Sequence, residues 1–161
     1  MDVFENFENQ LKANPKTIVF TEGTDARILS AASKLLAGKI LNVLLLGNPE
    51  AVKKAAAEGG FDITGAEICD PTSYPEFDAM VAKMVELRKG KMTEEQCRAA
   101  LSKSNYFGTM LVKMGKADCL LGGATYSTAD TVRPAMQLVK TKPGNKIVSS
   151  CFIMVREGVG D

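Results

Sequence analysis

The chain contains no histidine among its 161 residues. Without imidazole it cannot by itself supply a Ser-His-Asp or Cys-His relay, nor a histidine-bound zinc or iron centre. Its chemistry is left to arginine, hydroxyl, carboxylate and backbone groups. Charge of one sign is also missing: twenty basic residues stand against nineteen acidic ones, and no block of like charge occurs. The electrostatic footprint of a nucleic-acid or anionic-membrane binder is therefore absent, and neither partner is expected. No stretch approaches the roughly 18 apolar residues of a membrane span. The start "MDVFENFENQ" has neither the basic end nor the apolar core of a signal peptide. These absences read as a soluble, cytoplasmic protein. The four cysteines, Cys69, Cys97, Cys119 and Cys151, form no CxxC pair and are expected as buried, reduced thiols, with no metal site. There is no Walker P-loop and no GxGxxG, so neither familiar style of nucleotide binding is expected.

What is present is 45% hydrophobic residues, enough for a sizeable core, and a regular alternation of elements. Phe4, Phe7 and Leu11 at helical spacing predict an amphipathic helix over 2–13, before Pro15. The strand "TIVFT" leads into a helix through Ile28, Leu29, Ala32, Leu35 and Leu36, capped by Thr24 or Asp25 and stopped at Gly38. A strand "NVLLLG", a helix over 49–58 and a short strand "AEICD" continue the pattern. "PEFDAMVAKMVELRKG" predicts a helix ending at Gly90; Thr93 and Gln96 have the spacing of a capping box; residues 105–115 read as helix. The strand "ADCLLGG", a helix through Met136 and Leu138, and a last strand "KIVSSCFIMV" complete the series. Strands separated by helices of this length predict a layered α/β/α fold with a mainly parallel sheet. Nothing in "REGVGD" supplies a helix to cover that last strand, whose open edge offers a route to self-association as a homo-oligomer.

Ligands in open α/β sheets gather outside the carboxyl ends of strands, where both "TEGTDAR" and "GGATYSTADTVRP" fall. In the second of these, Gly122 and Gly123 permit close backbone approach or positive φ. Ser127, Thr128 and Thr131 add hydroxyl donors, and the following helix start adds free N–H groups. Two starts are compatible with the sequence. Thr131 as cap puts Pro134 in the first turn, whereas Ser127 as cap, with Asp130 three residues on, makes Pro134 a kink. Either way Arg133 lies near the helix start, unfavourably beside the dipole unless it faces an anion, which its planar fork suits. The ordinary alternative is a helix entry with a surface arginine. Arg88 ends a helix, where a cation suits the dipole; Glu22 and Asp25 form an acidic pair after the first strand; Asp118 reads as structural.

Residues 104–144, "SNYFGTMLVKMGKADCLLGGATYSTADTVRPAMQLVKTKPG", together with "IVFTEGTDARILSAA" and "ELRKGK", closely resemble the phosphate acyltransferases, above all the phosphotransacetylases. The resemblance implies transfer of an acetyl group between acetyl phosphate and coenzyme A, with coenzyme A as co-substrate, inorganic phosphate as the other partner, and no permanently bound cofactor or metal. It implies a fold similar to the isocitrate and isopropylmalate dehydrogenases, two α/β domains around a cleft. In that scheme residues 1–145 are the amino-terminal domain and 146–161 the start of a second, truncated one. The same resemblance implies that Arg133 is the arginine of the active-site cleft and Arg88 a second substrate-binding arginine. Ser127 and Thr131 correspond to hydroxyls of the phosphate-side loop. Some members carry histidine where Tyr126 stands, so no role transfers to that ring. The general base is expected outside this chain, which would then be inactive alone. A phosphate butyryltransferase, and a non-catalytic anion-binding or interaction module, are the alternatives.

Overall fold

The computed structural model describes residues 3–154. Helix α1 (Val3–Ala13) forms as its spacing predicts, with none of its side chains fully buried. Strands and helices then alternate: β1 (Thr17–Phe20), α2 (Ala26–Ala37), β2 (Asn42–Leu46), α3 (Pro49–Gly59) and β3 (Glu67–Cys69). After a 3-10 turn at Pro71–Ser73, the helices α4 (Phe77–Arg88), α5 (Glu94–Leu101) and α6 (Ser104–Lys113) run consecutively into β4 (Cys119–Leu121). Helix α7 (Thr128–Pro134) passes directly into a π-helical turn, Ala135–Val139.

The local signals account for most boundaries. Asp25 caps α2 by accepting from the N–H of Arg27, and Gly38 stops it. Thr93 and Gln96 make both bonds of a capping box at α5, which satisfies two otherwise orphaned donors. Helix α4 ends where Lys89 and Gly90 both turn left-handed.

All strand pairs are parallel, in the order β3-β2-β1-β4, with Val19 opposite Leu44 on one side and Leu120 on the other. Alternate strand residues feed two cores. Phe20, Val43 and Leu45 pack with Ile28, Leu29 and Ala32 of α2 and with Val52 and Ala56 of α3. Val19, Leu44 and Leu46 pack with Met80 and Met84 of α4, Leu101 of α5, and Phe107 and Met110 of α6. With each such leucine or phenylalanine contributing about 1.5–3 kcal/mol on burial, the sheet is held from both faces as a three-layer α/β/α unit. Gly108 lets α6 lie close on the sheet, because a Cβ there would stand 2.8 Å from Cδ1 of Leu120 and 3.0 Å from Cγ2 of Thr21. Asp118 does prove structural: its Oδ2 accepts from the N–H of Thr17 at 2.8 Å and joins β4 to β1.

Three expectations need correction. Residues 146–154 form no strand, and Ile147, Phe152 and Met154 are exposed. A strand needs a ladder partner, and this segment pairs with neither edge of the sheet; Val155 lies outside the described residues. The open strand edge from which self-association was expected is therefore not formed by residues 146–154. The helix through Met136 and Leu138 is π-wound, starting directly after Pro134. Only two cysteines are buried, Cys69 and Cys97; Cys119 and Cys151 are exposed, and all four are free. Burial, followed by the nearby Glu67 and Asp70 carboxylates, pushes the Cys69 thiol up to about 11, which keeps it inert.

Candidate functional site

The strand order reverses direction between β1 and β4, so the chain leaves their carboxyl ends toward opposite faces of the sheet. The loops after these two strands, Thr21–Asp25 and Gly122–Ser127, lie side by side there. Their contact is extensive. The Glu22 carboxylate accepts from the backbone N–H of Gly123 and of Ala124, each at 3.0 Å, from the N–H of Thr125, and from the Thr125 hydroxyl at 2.7 Å. Thr21 Oγ1 and the Tyr126 hydroxyl share a hydrogen bond of 2.5 Å. Arg27 grips Asp25 through Nε and Nη2, at 3.0 and 2.8 Å, and donates to the carbonyl of Ala124 at 2.8 Å.

The backbone concavity anticipated for a ligand anion is thus filled by the protein's own carboxylate. Gly123 takes the positive φ of +102° that shapes the concavity. Gly122 is needed for close approach, but of protein to protein: a Cβ there would collide with the Tyr126 hydroxyl and Thr21 Oγ1. Burial works against the charge on Glu22, yet the bonds from Thr125, Ala124 and Gly123 outweigh it and hold its pKa below the ordinary value. The hydrogen bonds from Arg27 bring Asp25 down to about 2. Burial raises the Tyr126 phenol, more than its bond to Thr21 lowers it.

A folded-state pKa below its unfolded value gives stability that is present above the unfolded pKa and lost as pH falls through the folded one. For Asp25 that window runs from 3.8 down to about 2, and the Glu22 window begins at 4.5. The urea midpoint is therefore expected to fall across this range, and Glu22→Gln to flatten the upper part of the fall. A variant whose midpoint declines in parallel with the parent would remove Glu22 as a source.

Of the two possible starts for α7, Ser127 is the cap. Its Oγ accepts from the N–H of Asp130 at 3.2 Å and donates to the Asp130 carboxylate at 2.7 Å. The Ser127 hydroxyl is therefore engaged in capping, and Arg133 lies in the last turn of α7 rather than near its start. The helical path continues past it into the π turn, so Arg133 sits near neither free end and the electrostatic case for it made from the sequence does not hold. Its side chain is 59% exposed, with one carboxylate neighbour, Asp130, at 3.9 Å. It borders a cavity of about 300 Å³ shared with Lys103, Asn105, Tyr106 and Gln96.

Thr131 faces elsewhere, toward Tyr126 and a separate, more apolar cavity lined by Val132, Met136 and Lys140. Arg88, at the end of α4, is half-buried and reaches the π turn. Its Nη1 donates to the carbonyl of Gln137 at 3.5 Å, while its buried Nε has no partner among the described residues. The side chain of Gln137 accepts from the Tyr106 hydroxyl at 3.0 Å, so Tyr106 links the two arginine surroundings. Ser127, Thr131 and Arg133 thus lie on α7 or at its cap and Arg88 reaches the π turn that follows, with Arg133 and Thr131 facing different cavities. Glu22, Arg27, Asn105 and Tyr106 were not singled out as binding residues. Only the position of Glu22 directly after a strand, opposite a Gly-Gly loop, hinted at its task.

Among the described residues no group of three carboxylates or thiols could hold a metal ion, and no helix is long and apolar enough to cross a membrane. Residues 2–160 match the family model described as "Phosphate acetyl/butaryl transferase". The phosphate acetyltransferase of Bacillus subtilis (strain 168) is 48% identical over 155 residues, covering 96% of this chain and 48% of the relative. That of Thermoanaerobacterium thermosaccharolyticum is 44% identical, over 96% of this chain and 47% of the relative. A phosphotransacetylase structure from Streptococcus pyogenes superposes with a TM-score of 0.84 at 43% identity, over 89% of this chain and 45% of that one. The EutD phosphotransacetylase from Staphylococcus aureus gives a TM-score of 0.80 at 42% identity, over 89% of this chain and 45% of that one. The chain spans about half the length of the curated relatives it matches.

Proposed function

The chain belongs to the phosphate acetyl/butaryl transferase family, and on that premise we propose that it forms one wall of an acyl phosphate and coenzyme A site. The reaction is reversible acetyl transfer. The coenzyme A thiol attacks the acetyl carbonyl, a C–S bond forms, the C–O bond to phosphate breaks, and the thiol proton passes to a base. The main support is the 48% identity to a phosphate acetyltransferase over 96% of this chain.

In this reading Arg133 holds the phosphoryl oxygens through its fork and offsets the charge that develops as phosphate leaves. Arg88 supplies a second positive group at the back of the same wall. Thr131 contributes a hydroxyl beside Tyr126, and Ser127 sets the start of α7. The base that takes the thiol proton lies outside these residues. Residues 1–145 are one domain and 146–161 the beginning of another. Coenzyme A and acetyl phosphate bind as substrates without a permanent cofactor, in the cytoplasm, and butyryl transfer remains the second acyl specificity open to the family.

The purified 161-residue chain, mixed with acetyl phosphate and coenzyme A, is expected to give no thioester above a protein-free blank. The native polypeptide that contains it, if longer, is expected to turn over. Arg133-dependent turnover by the isolated chain would place the base within it. Failure of a longer native polypeptide to form acetyl-CoA would overturn the assignment and favour a binding module.

A further inference from the structure

Pro134 interrupts a continuous helical path, since α7 ends on it and the π turn begins at the next residue. Its missing N–H would have bonded the carbonyl of Asp130, four residues earlier. That carbonyl accepts instead from the side-chain amide of Asn105, at 2.8 Å. Asn105 stands in the first turn of α6, and its Oδ1 accepts from the N–H of Tyr106 at 2.9 Å, so both ends of the amide are engaged. Tyr106 reaches the other side of the interruption through its bond to Gln137 in the π turn. The first turn of α6 thereby clamps the chain before and after Pro134. Arg133 lies between the clamped positions and shares its cavity with both clamping residues.

We propose that Asn105 is a positioning residue for Arg133. By supplying the hydrogen bond that Pro134 cannot make, it fixes the turn of α7 that carries the arginine and sets the direction of the guanidinium into its cavity. The α-to-π switch at Pro134 then occurs at one place, because the orphaned carbonyl has one designated donor. The structural part of this inference stands on the hydrogen bonds alone; its consequence for turnover rests on the reading of Arg133 given above.

The test is a cycle of Asn105→Ala and Pro134→Ala, singly and together, in the full chain. Two readouts are followed: backbone amide exchange, and the rate at which phenylglyoxal modifies Arg133 relative to the exposed Arg98. Asn105→Ala is expected to accelerate exchange at residues 131–139 at least tenfold more than in β1 and β2. It is expected to change the relative modification rate of Arg133 at least threefold. With Pro134→Ala present, the restored backbone N–H takes the Asp130 carbonyl, and both effects of Asn105→Ala should shrink to less than half. Equal effects in the two backgrounds, uniform acceleration across the sheet, or an unchanged Arg133 rate would each overturn the proposal. If Asn105→Ala does not fold, Asn105→Asp enters the same cycle: it keeps the acceptor for Tyr106, replaces the donor by an oxygen and adds a negative charge beside Arg133, so its modification rate is compared only with that of the Asn105→Asp, Pro134→Ala double variant. Absence of acetyl transfer by the native polypeptide would overturn the functional reading and leave both readouts able to decide the role of Asn105.

Discussion

Arg133→Ala is expected to lower acetyl transfer by the native polypeptide about 100-fold or more, while leaving its thermal unfolding essentially unchanged. The first figure follows from the loss of one preorganised charged donor at a site of developing charge, typically about 10²–10³ in rate. The second follows from exposure. The arginine side chain is 59% accessible and its one ion pair among the described residues, at 3.9 Å, is with an exposed carboxylate. Such a pair contributes about 0–1 kcal/mol. Arg133→Lys separates charge from shape: the ammonium keeps the charge and loses the bidentate fork, so an intermediate rate is expected. Steady-state kinetics with acetyl phosphate varied, beside a melting curve for each variant, decides the matter. A folded Arg133→Ala protein that turns over at the parent rate would remove the arginine from the site, and equal rates for alanine and lysine would remove the charge from its role.

The features readable in the sequence were those decided by neighbours in the chain. Apolar runs such as Val43–Leu46 and the spacing of Met80, Val81 and Met84 identified buried strands and helix faces, because periodicity reflects which side of an element meets the core. The cap at Thr93 was equally visible, and that of α2 was narrowed to Thr24 or Asp25, of which the structure has Asp25, since a cap is a local hydrogen bond. The juxtaposition of the two loops followed from the rule for parallel sheets. What fills the Gly122–Thr125 concavity did not follow, because Glu22 is about a hundred residues away and only the β1–β4 pairing brings it there. The composition of that loop was read as a seat for a ligand anion, whereas the carboxylate its N–H groups hold is a side chain of the protein itself.

Pro134 shows a different kind of limit. A proline in a helix announces a carbonyl in need of a donor, and the kinked reading with Ser127 as cap contained that information. The donor itself, Asn105, comes from another helix. The misplacement of Arg133 relative to the helix dipole had a simpler cause, which is that the dipole reading assumed a start close to the arginine. The segment 146–154 has the composition of a strand but no ladder partner among the described residues, and β composition without pairing does not make a strand.

Glu22→Ala is expected to destabilise the protein by about 3 kcal/mol. Hydrogen bonds to a charged group contribute about 1.5–3 kcal/mol each, but four to one carboxylate are not additive, and water reaching this half-buried loop recovers part of the loss. The substitution leaves the N–H groups of Gly123, Ala124 and Thr125 without their acceptor and unties the loop after β4 from the loop after β1. Glu22→Gln retains one carboxamide oxygen but opposes an NH₂ to the same donors, so it is expected to recover less than half of the stability. Urea denaturation gives the comparison directly, and a loss below about 1 kcal/mol for Glu22→Ala would mean that water replaces the carboxylate at little cost. The pair of variants also separates two ways of losing function. Because Glu22 holds the loop that leads into α7, its removal should lower stability and turnover together, and turnover should return in part under stabilising osmolyte. Removal of Arg133 should lower turnover alone, with no return, because in that variant the wall is intact and only the group proposed to face the phosphate is gone.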